Sequence, residues 1–306
     1  MSGKKKTIFI SLLLCGLIFS SFFFGKKISV KNHHGSQEKI ASSALVLLPP
    51  PKNVPNLPPP QVNASSFLIV DLTSSEVLAQ KNVQTPLPIA SVTKLLTAIL
   101  AIENLPLNEE ILITKEILQA YGTTSVLKEG EKIKIKDLLY PLLIESSNDA
   151  AEAIGSYLGR EKTVSLMNQI AKKIFMKNAK FFDPSGFDPR NVASVQDLFY
   201  LAKYILNSRP EILKITRGES PENLFPEKID PQKLTNKNIF SKVESFVGGK
   251  GGYLDEAKYT GVFIFKAKDK EGKERYLLFI ILWADGLAKE TLKLISWTKE
   301  NFPLEF

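Results

Sequence analysis

Residues 86–104, PLPIASVTKLLTAILAIEN, pass from two prolines into an apolar run with helical spacing. Proline is tolerated only at or before the first turn of a helix, so a helix is expected over 91–103 with Ser91 in its opening turn. Ser91 and Lys94 are three residues apart and share one helix face, which puts the lysine amine within reach of the serine hydroxyl. A helix N-terminus offers free N–H groups and a positive dipole end. Both favour a developing oxyanion and disfavour a protonated lysine, leaving the amine readier to act as a base. This is the arrangement of an activated serine nucleophile with lysine as its base.

The spacing alone carries nothing, because Ser-x-x-Lys begins at Ser2, Ser36, Ser91, Ser125 and Ser296. Company separates them. Ser146-Ser147-Asn148 lies 55 residues after Ser91, and Lys250-Gly251-Gly252 follows about 100 residues further on, leading into a strand. Of the five serines, Ser91 alone has both partners at workable distances.

Around this centre, residues 66–73 and 76–81, joined by Ser74-Ser75, have the pattern of a β-hairpin, and 259–267 with 276–283 form a second one across a polar turn at 269–273. Helical patterns run over 91–103, 135–145, 147–158, 161–177, 194–207 and 287–301. Strands at both ends of a helical middle predict a mixed α/β domain whose N- and C-terminal strands share one antiparallel sheet, flanked by helices and a helical subdomain.

Composition narrows the chemistry. The chain has 306 residues and a formal net charge of +8, yet residues 1–45 hold seven lysines against one acid, Glu38. The remaining 33 basic and 31 acidic residues nearly cancel, so no basic binding face is expected and nucleic acid is not a partner. The one cysteine is Cys15 and the two histidines are His33 and His34, all ahead of the expected folded domain. A Ser-His-Asp triad, a Cys-His nucleophile and a His-ligated metal are therefore unavailable to that domain. A hydrolase built here needs Lys, Asp, Glu or Tyr as its base.

Residues 7–24 are 18 uncharged, mostly apolar residues between Lys4-Lys5-Lys6 and Lys26-Lys27. At about 1.5 Å per residue they just cross a hydrocarbon core, and no small-residue cleavage site follows, so residues 1–31 are expected to be a membrane anchor, with a cleaved signal peptide as the alternative. Residues 32–64, with Pro49-Pro50-Pro51 and Pro58-Pro59-Pro60, have the composition of an extended linker. The catalytic domain is expected over 65–306.

With these motifs in place, the chain resembles the low-molecular-mass penicillin-binding proteins that are D-alanyl-D-alanine carboxypeptidases, within the Ser-x-x-Lys superfamily shared with the serine β-lactamases. The resemblance is carried by 71–103, by SSNDAA (146–151), by FDPSGFD (182–188) with ASVQDL (193–198), by LTNKN (234–238) and by GGKGGYLDEA (248–257), in the family's order. It implies a β-lactamase/transpeptidase-like fold and removal of the terminal D-Ala from peptidoglycan stem peptides through an acyl-enzyme. β-Lactams would be acylating inhibitors, no cofactor or metal would be required, and the domain would be extracytoplasmic on a single-pass anchor through residues 7–24. Many relatives attach to the membrane at the C-terminus after an extra β-domain; here the attachment is expected at the N-terminus.

Residue by residue, the resemblance implies Ser91 as nucleophile and Lys94 as general base, with Ser146 relaying a proton to the leaving group. Asn148 would bind the substrate peptide. Lys250, Gly251, Gly252 and Tyr253 would line the substrate site, with Lys250 supporting Ser146 and the terminal carboxylate, and the backbone N–H groups of Ser91 and Tyr253 as the oxyanion hole. One departure stands out. The family's third motif is Lys-Thr/Ser-Gly, whereas this chain has Lys250-Gly251-Gly252, lacking the hydroxyl that bonds the substrate carboxylate. The loss of a hydrogen bond to a charged group, about 1.5–3 kcal/mol, implies a weakened but active enzyme that Gly251→Thr improves. The alternatives are a D,D-endopeptidase on peptidoglycan crosslinks and a membrane-tethered pseudoenzyme that only binds peptidoglycan. A class A β-lactamase is disfavoured because residues 181–191 lack its glutamate. Asp149, Ser185 and Asp197 are expected to be structural, and Trp283 and Trp297 to pack in the core or at an edge.

Overall fold

The structure is a computed structural model that describes residues 57–119 and 126–306. The expected anchor at 7–24 and most of the expected linker lie outside these residues. Among the described residues no helix is long and apolar enough to cross a membrane.

The strands are β1 (Ala64–Asp71), β2 (Glu76–Lys81), β3 (Leu87–Pro88), β4 (Glu110–Leu112), β5 (Lys132–Lys134), β6 (Val192–Ala193), β7 (Phe246–Leu254), β8 (Lys258–Lys268) and β9 (Glu274–Ala284). The helices are α1 (Lys94–Asn104), α2 (Lys115–Leu118), α3 (Ile135–Leu143), α4 (Asn148–Leu158), α5 (Arg160–Lys173), α6 (Val195–Ser208), α7 (Pro210–Arg217) and α8 (Leu287–Asn301). One five-stranded sheet has the order β2-β1-β9-β8-β7, and every pair in it is antiparallel. The first and last strands of the domain, β1 and β9, thus pair at its centre, Leu68 opposite Ile280.

The apolar runs in these strands are nearly continuous because both faces are covered, and the two-residue period sorts them. Leu68, Val70, Ile264, Leu278 and Ile280 join the core formed with the helices. Phe67, Ile69, Phe263, Phe265, Phe279 and Ile281 join a second core that includes Leu294 and Ile295 of α8. Helix α1 runs inside the first core and is buried at every position from Lys94 to Ala101, as its nearly unbroken apolar sequence requires.

Two differences from the sequence expectation follow from local chemistry. Lys250 and its glycines do not precede a strand; they lie within β7, the edge strand paired to β8. Four glycines in five residues read as a loop because glycine is a weak strand former, but at Gly248, Gly249 and Gly252 neighbouring backbone stands where a Cβ would go. The chain is also engaged before residue 65: Trp297 Nε1 donates to Pro58 O at 2.8 Å, and Asn63 N donates to Glu290 Oε2 at 2.8 Å, fastening residues 58–63 along α8.

Candidate active site

Ser91 lies in a single 3-10 turn, Ala90–Thr93, that runs directly into α1. Ala90 takes a left-handed φ of 45°, a conformation that costs an L-residue about 1–2 kcal/mol unless its surroundings hold it. They do. Thr260 Oγ1 on β8 donates to Ile89 O at 3.0 Å, and Gly186, itself at φ 80°, packs where a Cβ would run into the Ala90 carbonyl.

Lys94 opens α1 and is fully buried. Its Nζ is 2.9 Å from Ser91 Oγ, 2.7 Å from Asn148 Oδ1 and 2.6 Å from Ser185 O. Burial pushes its pKa well below the ordinary lysine value, and the charge of Lys250 pushes the same way, against a smaller opposing effect of Asp183. The three contacts then acquire a direction. A neutral amine has two N–H donors and one lone pair, whereas Asn148 Oδ1 and the Ser185 carbonyl are acceptors only. Those two consume the N–H groups, and the lone pair is left for the Ser91 hydroxyl to donate into. This is the geometry of a base about to take the serine proton.

A second serine–lysine pair faces the first. Ser146 holds a φ of 61° in the turn between α3 and α4, where Ser147 caps α4 by accepting from Ala150 N at 3.1 Å. Lys250, 2% exposed on β7, donates from Nζ to Ser146 Oγ at 2.9 Å and to Gly251 O at 2.9 Å. Its pKa is lowered to about 7, through burial first and the charge of Lys237 second. The edge strand is drawn against the nucleophile turn: a Cβ on Gly252 would stand 2.7 Å from Ser91 N. From the other side, Gly249 N donates to Thr216 Oγ1 at 3.0 Å, and Thr216 Oγ1 donates to Leu213 O at 2.6 Å, tying β7 to α7.

The structure therefore brings together Ser91, Lys94 and Asn148 in one hydrogen-bonded group and Ser146, Lys250 and the Gly251 carbonyl in another, with Gly252 against the Ser91 amide. Tyr253 stands at the rim, 49% exposed, its ring 4.7 Å from that of Tyr259 and its hydroxyl donating to Asp255 at 2.8 Å. Sequence reasoning missed that Asn148 and the Ser185 carbonyl hold the Lys94 amine. The signal for Ser185 was present. Asp183-Pro-Ser-Gly is a turn in which the Asp183 carboxylate accepts from the backbone N–H of Ser185 at 2.6 Å and of Gly186 and Asp188 at 2.5 Å. The structural expectation for Asp197 meets a capping box with Ser194 on α6. Trp297 packs edge-on against Phe302, but Trp283 is not packed away. It is 41% exposed, turned outward where β8 and β9 shift register between Tyr259 and Gly261. Among the described residues no group of three or more His, Cys, Asp or Glu side chains is placed to hold a metal ion.

Comparison with known proteins agrees with this geometry. The sequence profile of the S11 peptidases, described as D-alanyl-D-alanine carboxypeptidase, matches residues 53–279. The chain is 35% identical over 211 residues to a D-alanyl-D-alanine endopeptidase of Haemophilus influenzae, across 68% of this chain and 72% of that protein. It is 28% identical over 269 residues to the D-alanyl-D-alanine carboxypeptidase DacD of Escherichia coli, across 82% of this chain and 67% of that one. Among solved structures, a D-alanyl-D-alanine carboxypeptidase from Mycobacterium tuberculosis superposes with a TM-score of 0.69 at 24% identity, covering 83% of this chain and 97% of that one. Penicillin-binding protein D2 from Listeria monocytogenes in its cefotaxime-bound form gives 0.65 at 25% identity, covering 81% and 99%.

Proposed function

The chain belongs to the S11 family of D-alanyl-D-alanine carboxypeptidases, and from that premise we propose that it removes the terminal D-Ala of peptidoglycan stem peptides through an ester on Ser91. The observation that carries this reading is the fully buried Lys94 amine, depressed in pKa, held by the acceptors Asn148 Oδ1 and Ser185 O and 2.9 Å from Ser91 Oγ.

Lys94 takes the Ser91 proton as Oγ bonds to the carbonyl carbon of the penultimate D-Ala. The resulting oxyanion lies between the N–H groups of Ser91 and Tyr253. As the C–N bond breaks, Ser146, polarised by Lys250, passes its proton to the departing amine and takes one from protonated Lys94, so that D-Ala leaves and Lys94 is neutral again. Water then attacks the ester as Lys94 takes its proton, and that proton returns to Ser91 Oγ as the ester C–O bond breaks, which regenerates Ser91. Asn148 holds the substrate's peptide and, through its Oδ1, the base. β-Lactams acylate the same oxygen. The domain acts outside the cytoplasm, tethered through residues 7–24.

A second reading is cleavage of D,D-crosslinks, favoured by the 35% identity to an endopeptidase. Both use one acyl-enzyme. Intact mass spectrometry of the full chain after exposure to penicillin and to a D-Ala-D-Ala thioester tests the common step: an adduct on the wild type that is absent from Ser91→Ala is the expected result. A folded wild type without adduct sinks both readings. Products released from monomeric and crosslinked muropeptides then decide between them.

A further inference from the structure

In the reaction proposed above, the Lys94 amine becomes a cation when it takes the Ser91 proton. That charge forms in a fully buried place whose three contacts, Ser91 Oγ, Asn148 Oδ1 and Ser185 O, are neutral oxygens. Lys250 and Lys237 both act against it. An unbalanced buried charge is costly, so a counter-charge nearby would lower the barrier to forming it.

Two carboxylates favour the charged form of Lys94, Asp183 first and Glu152 second. Asp183 is already engaged. Its Oδ1 accepts from Ser185 N, Ser185 Oγ and Gly186 N, and its Oδ2 accepts from Asp188 N. Glu152 is placed differently. It lies four residues after Asn148 and three before Gly155 on α4, so the three share one helix face. Asn148 touches the Lys94 amine. A Cβ on Gly155 would stand 2.9 Å from Pro184 Cγ, and the next residue, Ser185, gives its carbonyl to Lys94. Glu152 therefore sits between these two contacts, on the side of α4 turned to Lys94 and the 183–186 turn.

The Glu152 side chain is 13% exposed. Its Oε2 accepts from Arg160 Nη1 at 3.1 Å, while Oε1 is buried without a hydrogen-bond partner among the described residues. Burial raises the pKa of this carboxyl above the ordinary value. Arg160 on α5 opposes the rise, Asp183 in the facing turn adds to it, Lys94 on α1 opposes it and Asp149 on α4 adds to it. Arg160 is thus the main group that keeps Glu152 charged where burial would protonate it.

We propose that Glu152 is a positioning residue for acylation: its carboxylate, held ionised by Arg160, is the counter-charge for the ammonium that Lys94 becomes. It acts through Lys94 and does not touch the substrate. The inference rests on the acyl-enzyme reading above.

The test is the pH profile of acylation by penicillin, followed by intact mass spectrometry on the full chain. Wild type, Glu152→Gln, Glu152→Met and Glu152→Asp are compared, each melted alongside. Gln and Met keep the length of Glu without its charge, one polar and one apolar. Both should move the acid limb, set by Lys94, down by about one pH unit. Both should also lower the maximal rate by roughly threefold, because the base is weaker. The alkaline limb, set by Lys250 near 7, should stay, since Glu152 is not among the charges acting on that lysine. Glu152→Asp keeps the charge and should shift the acid limb less than either. A purely structural Glu152 would change Tm and leave the limb in place. An acid limb that is unmoved or raised in a folded neutral variant overturns the proposal, as does an equal shift in Glu152→Asp. Acylation with an unmoved limb leaves the acyl-enzyme reading standing. A folded wild type that forms no acyl-enzyme removes that reading, and the inference with it.

Discussion

Two serine–lysine pairs meet in this site with the same 2.9 Å separation and opposite origins. Ser91 and Lys94 are three residues apart, so one helical turn makes the contact and the rest of the protein only has to bury it. Ser146 and Lys250 are 104 residues apart, one on a turn between helices and the other on the sheet's edge strand. That contact exists only when helical layer and sheet have docked. The electrostatics differ too. Lys94 has two fixed acceptors besides its serine and the nearby charge of Lys250, a setting for a neutral base. Lys250 has one further acceptor, the Gly251 carbonyl, and a pKa of about 7, poised to hold or release a proton near neutral pH. A local pair suits the group that must always be aligned; a distant pair can couple that step to closure of the fold.

The largest effects should come from breaking the local pair. Ser91→Ala should abolish the penicillin adduct, and Lys94→Met should slow acylation by roughly 10⁴-fold while leaving the serine in place. Stopped acylation followed by mass spectrometry measures both; near-normal acylation by Lys94→Met would transfer the base role elsewhere.

Breaking the distant pair should cost less in rate and carry the opposite sign in stability. Lys250→Met is expected to slow acyl transfer about 10²-fold. It also removes an amine whose charged form burial disfavours, so Tm below pH 7 should rise. Equal rate losses from Lys94→Met and Lys250→Met would mean that the two pairs work as one unit.

The pH profile sharpens the contrast. Acylation should rise with pH as Lys94 loses its proton and fall again with a midpoint near 7 as Lys250 loses its own; Lys250→Arg should remove the alkaline limb. Stability runs differently. Between about 7 and the unfolded value of 10.5, the folded chain holds fewer protons at Lys250 than the unfolded chain does. Stability therefore climbs with pH across that window, and the penalty is complete below about 7. Denaturant midpoints of Lys250→Met should be flatter over the same range.

The smallest effect is expected at the support of the distant pair. Thr216→Val removes the hydroxyl that accepts from Gly249 N and leaves a buried N–H unpaired, a loss of about 1–3 kcal/mol, with turnover reduced more than acylation by penicillin. An unchanged Tm would show that β7 is held by β8 alone.

The ease with which these parts are read from the sequence follows the same division. The Ser91–Lys94 pair, the helix it opens and the central β1–β9 pairing are visible in residue spacing and in two long apolar strands. Helix α7 was not, because Pro210–Arg217 is only 8 residues long and follows α6 almost without a break. Strand β7 was hidden by its glycines, whose reason lies in Ser91, Leu213 and Leu287, far away in the chain. Asn148 was recognisable as a site residue, but not as the acceptor of the Lys94 amine, since that contact spans 54 residues.

By itself the sequence singled out Ser91 as the candidate nucleophile and Lys94 as the candidate base, and put every histidine and cysteine ahead of residue 57, because helical periodicity and composition are local properties. Only the tertiary structure decided that the Lys94 amine is desolvated, which acceptors surround it, that Lys250 reaches Ser146, and that neighbours crowd the glycines of β7. Burial and close approach depend on what the rest of the chain brings alongside, and no spacing along the chain encodes that.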